Sequence, residues 1–88
     1  AALGLREMRC VVRCGELSEG VERVVEQTGA LVLGESGAFM THWVSDRWFE
    51  AEPQRPILHY RWFVDCLTKG CVVAKEEYVC VPLLVCCL

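Results

Sequence analysis

The chain has 88 residues, enough for one domain at most, built around a single hydrophobic core. A hydrophobic fraction of 53% against 24% charged residues is too apolar for a disordered chain and predicts a compact fold. The net charge of −3 excludes an overall basic field for binding a phosphate backbone, and no apolar stretch reaches the ~18 residues that a membrane span requires.

The first third of the chain predicts a strand, a helix and a second strand. Residues 9–14, RCVVRC, carry β-branched valines at their centre, which favours a strand. Ser18 can cap the helix that follows. Apolar residues recur there at the spacing of one helix face, at Val21, Val24 and Val25. Gly29 is placed to end this helix in the left-handed conformation, and the apolar run 30–33 predicts the second strand.

The middle of the chain predicts two more strands with little helix between them. The third strand is expected at about residues 40–45 and the fourth at 57–60, ILHY. Pro53 and Pro56 limit any helix between these strands to about two turns, because proline cannot continue a helix interior. A short helix before Pro53 is therefore the most that this segment can hold.

The segment RWFVDCLTKG, residues 61–70, predicts the final helix. Its apolar side chains form one wide face, at Trp62, Phe63, Cys66 and Leu67. Gly70 supplies the positive φ with which a helix can end. The residues beyond are expected to be extended or irregular, and Pro82 interrupts them.

The alternation of strand and helix predicts an α/β fold. We expect a central four-stranded parallel sheet flanked by helices on both faces, in three layers. The strands are short and apolar without alternation, which is typical of strands covered on both faces. We expect a single domain over residues 1–88, with its core at about 9–79 and an apolar tail at 80–88.

Seven cysteines are present, an odd number with no CxxC pair. His42 and His59 match none of the usual zinc-ligand spacings, so we predict no metal and no cofactor. Buried free thiols in a reducing compartment are the favoured reading, since a free cysteine packs like a small hydrophobe. A small redox-active or metal-binding α/β domain that uses these cysteines is the alternative.

Several short motifs occur together, in order along the chain. The final helix carries a Trp, a Cys four residues later and a Gly at its end, followed by an acidic-aromatic stretch; the residues are Trp62, Cys66, Gly70 and Glu76-Glu77-Tyr78. Thr41-His42 opens the third strand, and Thr28-Gly29-Ala30 follows the first helix. This arrangement, from about residue 9 to residue 79, resembles the BRCT domain family.

The resemblance implies the BRCT fold and a non-catalytic protein-interaction module of the DNA-damage and cell-cycle checkpoint machinery. It implies a nuclear location and a protein partner, which can be phosphorylated or can be another BRCT domain, in a homodimer or a tandem pair. The parent protein could still be an enzyme. Direct binding of DNA ends occurs in the family, but the negative charge of this chain opposes it.

In members that bind phosphopeptides, the resemblance implies a pocket made of a hydroxyl ending the first strand, the backbone N–H of the next glycine and a lysine of the second helix. These positions fall here on Cys14 and Gly15, and a thiol is a poor donor. No lysine matches, and Arg47 and Arg55 are the basic residues between Thr41 and Trp62. Phosphopeptide recognition is therefore optional.

Two apolar groups are candidates for an interface. Residues 79–88, VCVPLLVCCL, carry no charge, and Leu83, Leu84 and Val85 lie at their centre. Trp48 and Phe49 follow Arg47, and aromatic residues with arginine are typical interface anchors. Trp48 and Phe49 could instead be the apolar side of the short helix and pack on the sheet.

No catalytic constellation is evident in the sequence. There is no defensible Ser/His/Asp arrangement and no glycine-rich phosphate loop. Trp62 is best explained as a structural anchor of the final helix, and Thr41 and His42 as groups that tie the third strand to its neighbours. We therefore predict that the domain is not an enzyme.

Overall fold

The computed structural model describes residues 3–83 of the chain. Within these residues it contains four strands and two α-helices. In chain order they are β1 (Arg9–Arg13), α1 (Ser18–Gln27), β2 (Leu31–Val32), β3 (His42–Ser45), β4 (Ile57–His59) and α2 (Arg61–Lys69). Two short 3-10 helices, Gly15–Leu17 and Glu76–Tyr78, lie before α1 and after α2.

The four strands form one parallel sheet in the order β2-β1-β3-β4. The central pair runs in register from Cys10 opposite His42 to Arg13 opposite Ser45. The predicted α/β class and the four-stranded parallel sheet are therefore confirmed. The strands are a few residues shorter than the sequence pattern suggests, because β3 begins at His42 and β2 pairs over two residues.

Both described helices pack on the same face of the sheet. Cys10 of β1, Val44 of β3 and Leu58 of β4 belong to the buried cluster that also contains the apolar sides of α1 and α2. Their neighbours Trp43 and Ile57 point to the opposite face, since successive side chains of a strand alternate. The helical layer is thus on one face of the sheet, and the prediction of helices on both faces differs from the structure in this respect.

The opposite face is covered by the irregular segment 46–56 instead of a short helix. The indole Nε1 of Trp43 donates a hydrogen bond to the carbonyl of Pro53 at 3.0 Å. The rings of Trp43 and Phe49 meet edge to face, with their centroids 5.1 Å apart. The segment forms no helix before Pro53, which lies within the predicted limit of about two turns, because it is held across the sheet by contacts with Trp43 and two prolines interrupt it.

The helix ends predicted at Gly29 and Gly70 are observed, whereas the helix cap predicted at Ser18 is not. Gly29, just past α1, has φ 98°, and Gly70, at the end of α2, has φ 71°, so both predicted left-handed stops are confirmed. Ser18 is the first residue of α1, one turn of 3-10 helix precedes it, and its Oγ accepts a hydrogen bond from the Cys14 backbone N–H at 2.8 Å. The predicted cap is replaced by this link between β1 and α1.

Trp62 fixes α2 to the sheet and to the segment that follows the helix. Its side chain is fully buried, and its ring meets that of Phe63 edge to face at 4.9 Å. Its Nε1 donates to the Val73 carbonyl at 2.8 Å. Cys66, one turn later, is also fully buried and accepts a weak hydrogen bond from the Val73 N–H at 3.5 Å. The predicted structural role of this tryptophan agrees with its burial.

The segment after α2 returns to the edge of the sheet. The Tyr78 hydroxyl donates to the Asp65 carboxylate at 2.6 Å, and Val79 forms an antiparallel bridge with Leu58 of β4. Beyond this bridge the chain is increasingly exposed, and Leu83 is 89% exposed. The interface candidates Leu84 and Val85 lie outside the described residues. Neither described helix has the length and apolar character needed to cross a bilayer.

Replacing Trp62 by alanine should lower the free energy of unfolding by about 3–5 kcal/mol, because the change leaves a large cavity and an unpaired Val73 carbonyl. Urea denaturation followed by circular dichroism measures the loss. The same substitution at Trp48, which is 41% exposed, serves as the matched control. An equal loss for the two variants would contradict the anchoring role of Trp62.

Candidate functional site

A cleft opens at the carboxyl ends of the two central strands, with a volume of about 360 Å³. The parallel register brings Arg13, the last residue of β1, beside Ser45, the last residue of β3. Ligand sites of parallel α/β sheets commonly lie at this edge. The residues that line this carboxyl-end cleft are Arg13, Cys14, Gly15, Ser45, Asp46, Arg47 and Phe49.

Three of the four residues predicted for a phosphate-like pocket meet in the carboxyl-end cleft. Cys14, Gly15 and Arg47 line it together, although Cys14 and Arg47 are 33 positions apart in the chain (47 − 14 = 33). Arg55 does not take part. Its guanidinium group donates to the carbonyl of Met40 at 3.0 Å, next to the amino ends of β3 and β4. The fourth predicted member therefore lies at the opposite end of the sheet.

Cys14 lines the cleft, but its thiol is neither a strong hydrogen-bond donor nor a reactive nucleophile. Its side chain is buried, and the thiol makes a weak hydrogen bond of 3.8 Å to the Val44 carbonyl. Burial, with a further contribution from the charge of Asp46, raises the pKa of Cys14 to about 11. The thiol is therefore protonated at neutral pH and is a poor nucleophile. It also cannot replace the hydroxyl donor that phosphopeptide pockets of this kind use.

The charges in the carboxyl-end cleft are two guanidinium groups and one carboxylate. Arg47 binds Asp46 through two contacts, Nη2 to Oδ2 at 3.0 Å and Nε to Oδ1 at 3.3 Å. These contacts hold the pKa of Asp46 below its usual range. Arg13 lies over aromatic rings instead, with its guanidinium carbon 4.6 Å from the Phe49 centroid and 5.9 Å from that of Trp43. Within residues 3–83, no carboxylate forms an ion pair with Arg13.

Sequence reasoning missed Arg13, Ser45 and Asp46. Ser45 is almost fully buried, and its hydroxyl donates to the Arg13 carbonyl at 2.8 Å while accepting a long hydrogen bond from the Arg47 N–H at 3.4 Å. The signal that could have found these residues is positional. They end neighbouring parallel strands or directly follow them, and such ends meet at one edge of a sheet.

Two exposed apolar side chains lie close in sequence to residues of the carboxyl-end cleft, on the segments that follow β1 and β3. Trp48 lies between the lining residues Arg47 and Phe49 and is 41% exposed. Leu17, two residues after Gly15, is 53% exposed. Phe49 is half-buried against Trp43, so the predicted packing on the sheet holds for Phe49, without the helix expected there.

Thr41 and His42 act within the scaffold. The Thr41 hydroxyl accepts a hydrogen bond from the Arg9 N–H at 2.8 Å and lies 3.1 Å from the Arg9 carbonyl, which ties the start of β3 to β1. His42 Nδ1 lies 2.8 Å from the same hydroxyl, and burial, followed by the charge of Lys75, lowers the pKa of His42. Among residues 3–83, no three His, Cys, Asp or Glu side chains are grouped so that they could hold a metal ion.

Comparison with solved structures finds BRCT domains. The chain is similar to the C-terminal BRCT domain of human XRCC1, with a TM-score of 0.78 and 12% identity over 94% of this chain and 98% of that one. The BRCT domain of the human DNA-repair protein REV1 gives a TM-score of 0.72 and 12% identity, over 93% and 92% of the two chains. A structure of yeast Rtt107 and Slx4 gives 0.71 and 18%, over 86% of this chain and 19% of that one.

No protein-family model and no curated protein sequence matches the chain. The resemblance to BRCT domains is therefore confirmed by the structure, at the level of the fold. At identities of 12% to 18% the similarity shows the fold alone, and the chemistry of the carboxyl-end cleft follows from the residues that line it.

We expect Cys14 to resist alkylation in the native protein. At pH 8 roughly one Cys14 side chain in a thousand is a thiolate when the pKa is about 11, against roughly one in ten for an ordinary thiol. Iodoacetamide treatment at pH 8, followed by peptide mapping with mass spectrometry, should modify the exposed Cys71 well before Cys14. Unfolding in urea should remove the difference. Fast native modification of Cys14 would contradict its assignment as an inert thiol.

Proposed function

We propose that this BRCT-fold domain is a non-catalytic protein-interaction module that binds a partner protein at the carboxyl-end cleft. The observation that carries the proposal is the grouping of Arg13, Arg47 and Phe49 around one concave surface, with the half-exposed Trp48 on a neighbouring cavity that shares Phe49. Arginine and aromatic side chains are enriched at protein interfaces, where arginine and tryptophan often dominate the binding energy. The proposal does not require the partner to be phosphorylated.

Thiol chemistry, the alternative function, is disfavoured by the state of the buried cysteines. Burial raises the pKa of Cys10 to about 12 and that of Cys14 to about 11, and it also raises the pKa of Cys66. A redox-active cysteine requires the opposite shift, since the thiolate is the reactive form. The buried thiols are better explained as packing residues of the core.

The setting that we propose is DNA repair and checkpoint signalling in the nucleus. The similar structures include BRCT domains of REV1 and XRCC1, both described as DNA-repair proteins. The yeast structure contains two proteins, Rtt107 and Slx4. We propose by analogy that the partner here is a protein, which could be another BRCT domain. The net charge of −3 opposes direct DNA binding.

The double variant Arg13→Gln, Trp48→Ala should no longer bind the partner proteins that the wild-type domain binds at the carboxyl-end cleft. Nuclear proteins retained by the immobilised wild-type domain and by the double variant are compared by quantitative mass spectrometry. The control is Arg23→Gln, which makes the same charge change on the exposed face of α1, at the residue that pairs with Glu19. Partners lost from the double variant but kept by the control support the proposal. An unchanged set of partners would refute the cleft as the binding site.

A second contact surface is proposed at the apolar tail. Val81 is 67% exposed and Leu83 is 89% exposed, and Leu84 and Val85 follow them in the sequence. Exposed apolar runs of this kind commonly mark an interface. We propose that the tail pairs two copies of the domain.

Sedimentation of residues 1–88 and of a version ending at Val81 tests the tail. The longer chain should dimerise with rising concentration, and the truncated chain should stay monomeric, because truncation removes the apolar surface that the dimer would bury. Matching unfolding curves for the two chains serve as the control that truncation leaves the fold intact. Monomers at every concentration in both chains would refute a homodimer through the tail.

A further inference from the structure

We infer that the carboxyl-end cleft binds an unphosphorylated acidic side chain, an aspartate or glutamate within a partner segment that has apolar residues on both sides. This inference rests on the proposed function and names the chemistry of the partner at the same site. It separates this domain from phosphopeptide-binding relatives by the charges and donors that the cleft presents.

The charge in the cleft matches a monoanion. Two guanidinium groups and one carboxylate line it, and Asp46 already binds Arg47 through two contacts. The uncompensated charge is therefore that of one guanidinium group, at Arg13. A phosphoserine carries a charge of about −1.5 to −2 at neutral pH and would be repelled by the Asp46 carboxylate beside its site. A carboxylate carries one charge and leaves the Asp46–Arg47 pair undisturbed.

The hydrogen-bond donors in the cleft also favour a carboxylate. The Cys14 thiol points to the Val44 carbonyl, and the Ser45 hydroxyl donates to the Arg13 carbonyl. Neither supplies the strong side-chain donor that a phosphate with three acceptor oxygens needs. One guanidinium group can serve both oxygens of a carboxylate with two parallel N–H donors.

Arg13 is positioned to do this. It ends the central strand β1, and its guanidinium carbon lies over the Phe49 ring, 4.6 Å from the centroid, which restricts its orientation. A guanidinium group that lies face-on to a ring keeps its N–H donors in its own plane, so this contact is compatible with bidentate binding. The aromatic rings also exclude water from one side of the ion pair and strengthen it.

The surroundings of the cleft indicate that the bound carboxylate belongs to an internal residue of the partner and not to the end of its chain. Leu17, on the segment that follows β1, and Trp48, on the segment that follows β3, are about half exposed. Each can contact an apolar residue on one side of the bound carboxylate, which requires the partner chain to continue in both directions. The partner segment is therefore expected to carry apolar residues before and after its aspartate or glutamate.

Matched peptide pools test the inference. Each pool has amidated ends, degenerate apolar positions on both sides and one fixed central residue: glutamate, glutamine, serine or phosphoserine. A fifth pool ends in a free carboxylate without an acidic side chain. Binding to the fluorescently labelled domain is measured for each pool. The glutamate pool should bind about tenfold more tightly than the glutamine pool, as expected for one charge-assisted pair, and more tightly than the phosphoserine and free-carboxylate pools.

Three variants test which residues produce the preference for the glutamate pool. Arg13→Gln should remove the advantage of glutamate over glutamine. Asp46→Asn should raise binding of the phosphoserine pool relative to the glutamate pool, because it removes the repelling carboxylate. Arg23→Gln, outside the cleft, should change neither preference. Thermal unfolding of each variant confirms that it is folded before binding is compared.

The outcomes separate the inference from the proposed function. If the phosphoserine pool or the free-carboxylate pool binds most tightly in the wild type, the inference is wrong while the cleft stands as an interaction site. An Asp46→Asn variant with unchanged preference also overturns the inference. If no pool binds, and the Arg13→Gln, Trp48→Ala double variant keeps every nuclear partner, the proposed function of the cleft fails as well.

Discussion

The pairing of β1 with β3 is the contact on which the rest of this structure depends. Four residue pairs in parallel register hold the two central strands together, and the Thr41 hydroxyl fixes the start of this pairing at Arg9. The register decides which side chains face the helices, because successive residues of a strand alternate between faces. It also brings Arg13 beside Ser45, so the same pairing that builds the core places the walls of the carboxyl-end cleft.

The second face of the sheet links the fold to the site. It is covered by residues 46–56, which lie across the strands in an irregular path held by Trp43. This path brings Phe49 edge to face against Trp43 and places both rings near the Arg13 guanidinium group. A helix over the same residues would present its side chains at helical spacing and would change this arrangement. The irregular path of residues 46–56 therefore also accounts for the contacts of the Arg13 guanidinium group with the rings of Phe49 and Trp43.

Much of the fold could be predicted from the sequence, because the responsible interactions are local or repeat along the chain. Short apolar runs that alternate with amphipathic segments determined the strand and helix order and the parallel sheet. Gly29 and Gly70 marked the helix ends through their tolerance of positive φ. Trp62, with Cys66 one turn later, identified the helix that anchors the fold, since a large indole in so small a domain has to be buried.

The site depended on contacts between distant residues, which only the tertiary structure decided. Arg47 and Arg55 are equivalent in sequence terms, yet one lies in the carboxyl-end cleft and the other binds carbonyls at the far end of the sheet. Arg13 carried no signal of its own, because its role comes from Phe49, 36 residues away (49 − 13 = 36). Ser18 has the sequence pattern of a helix cap, but in the structure a turn of 3-10 helix precedes it. Local patterns determined the elements of this protein, and the packing of the sheet determined which charges meet.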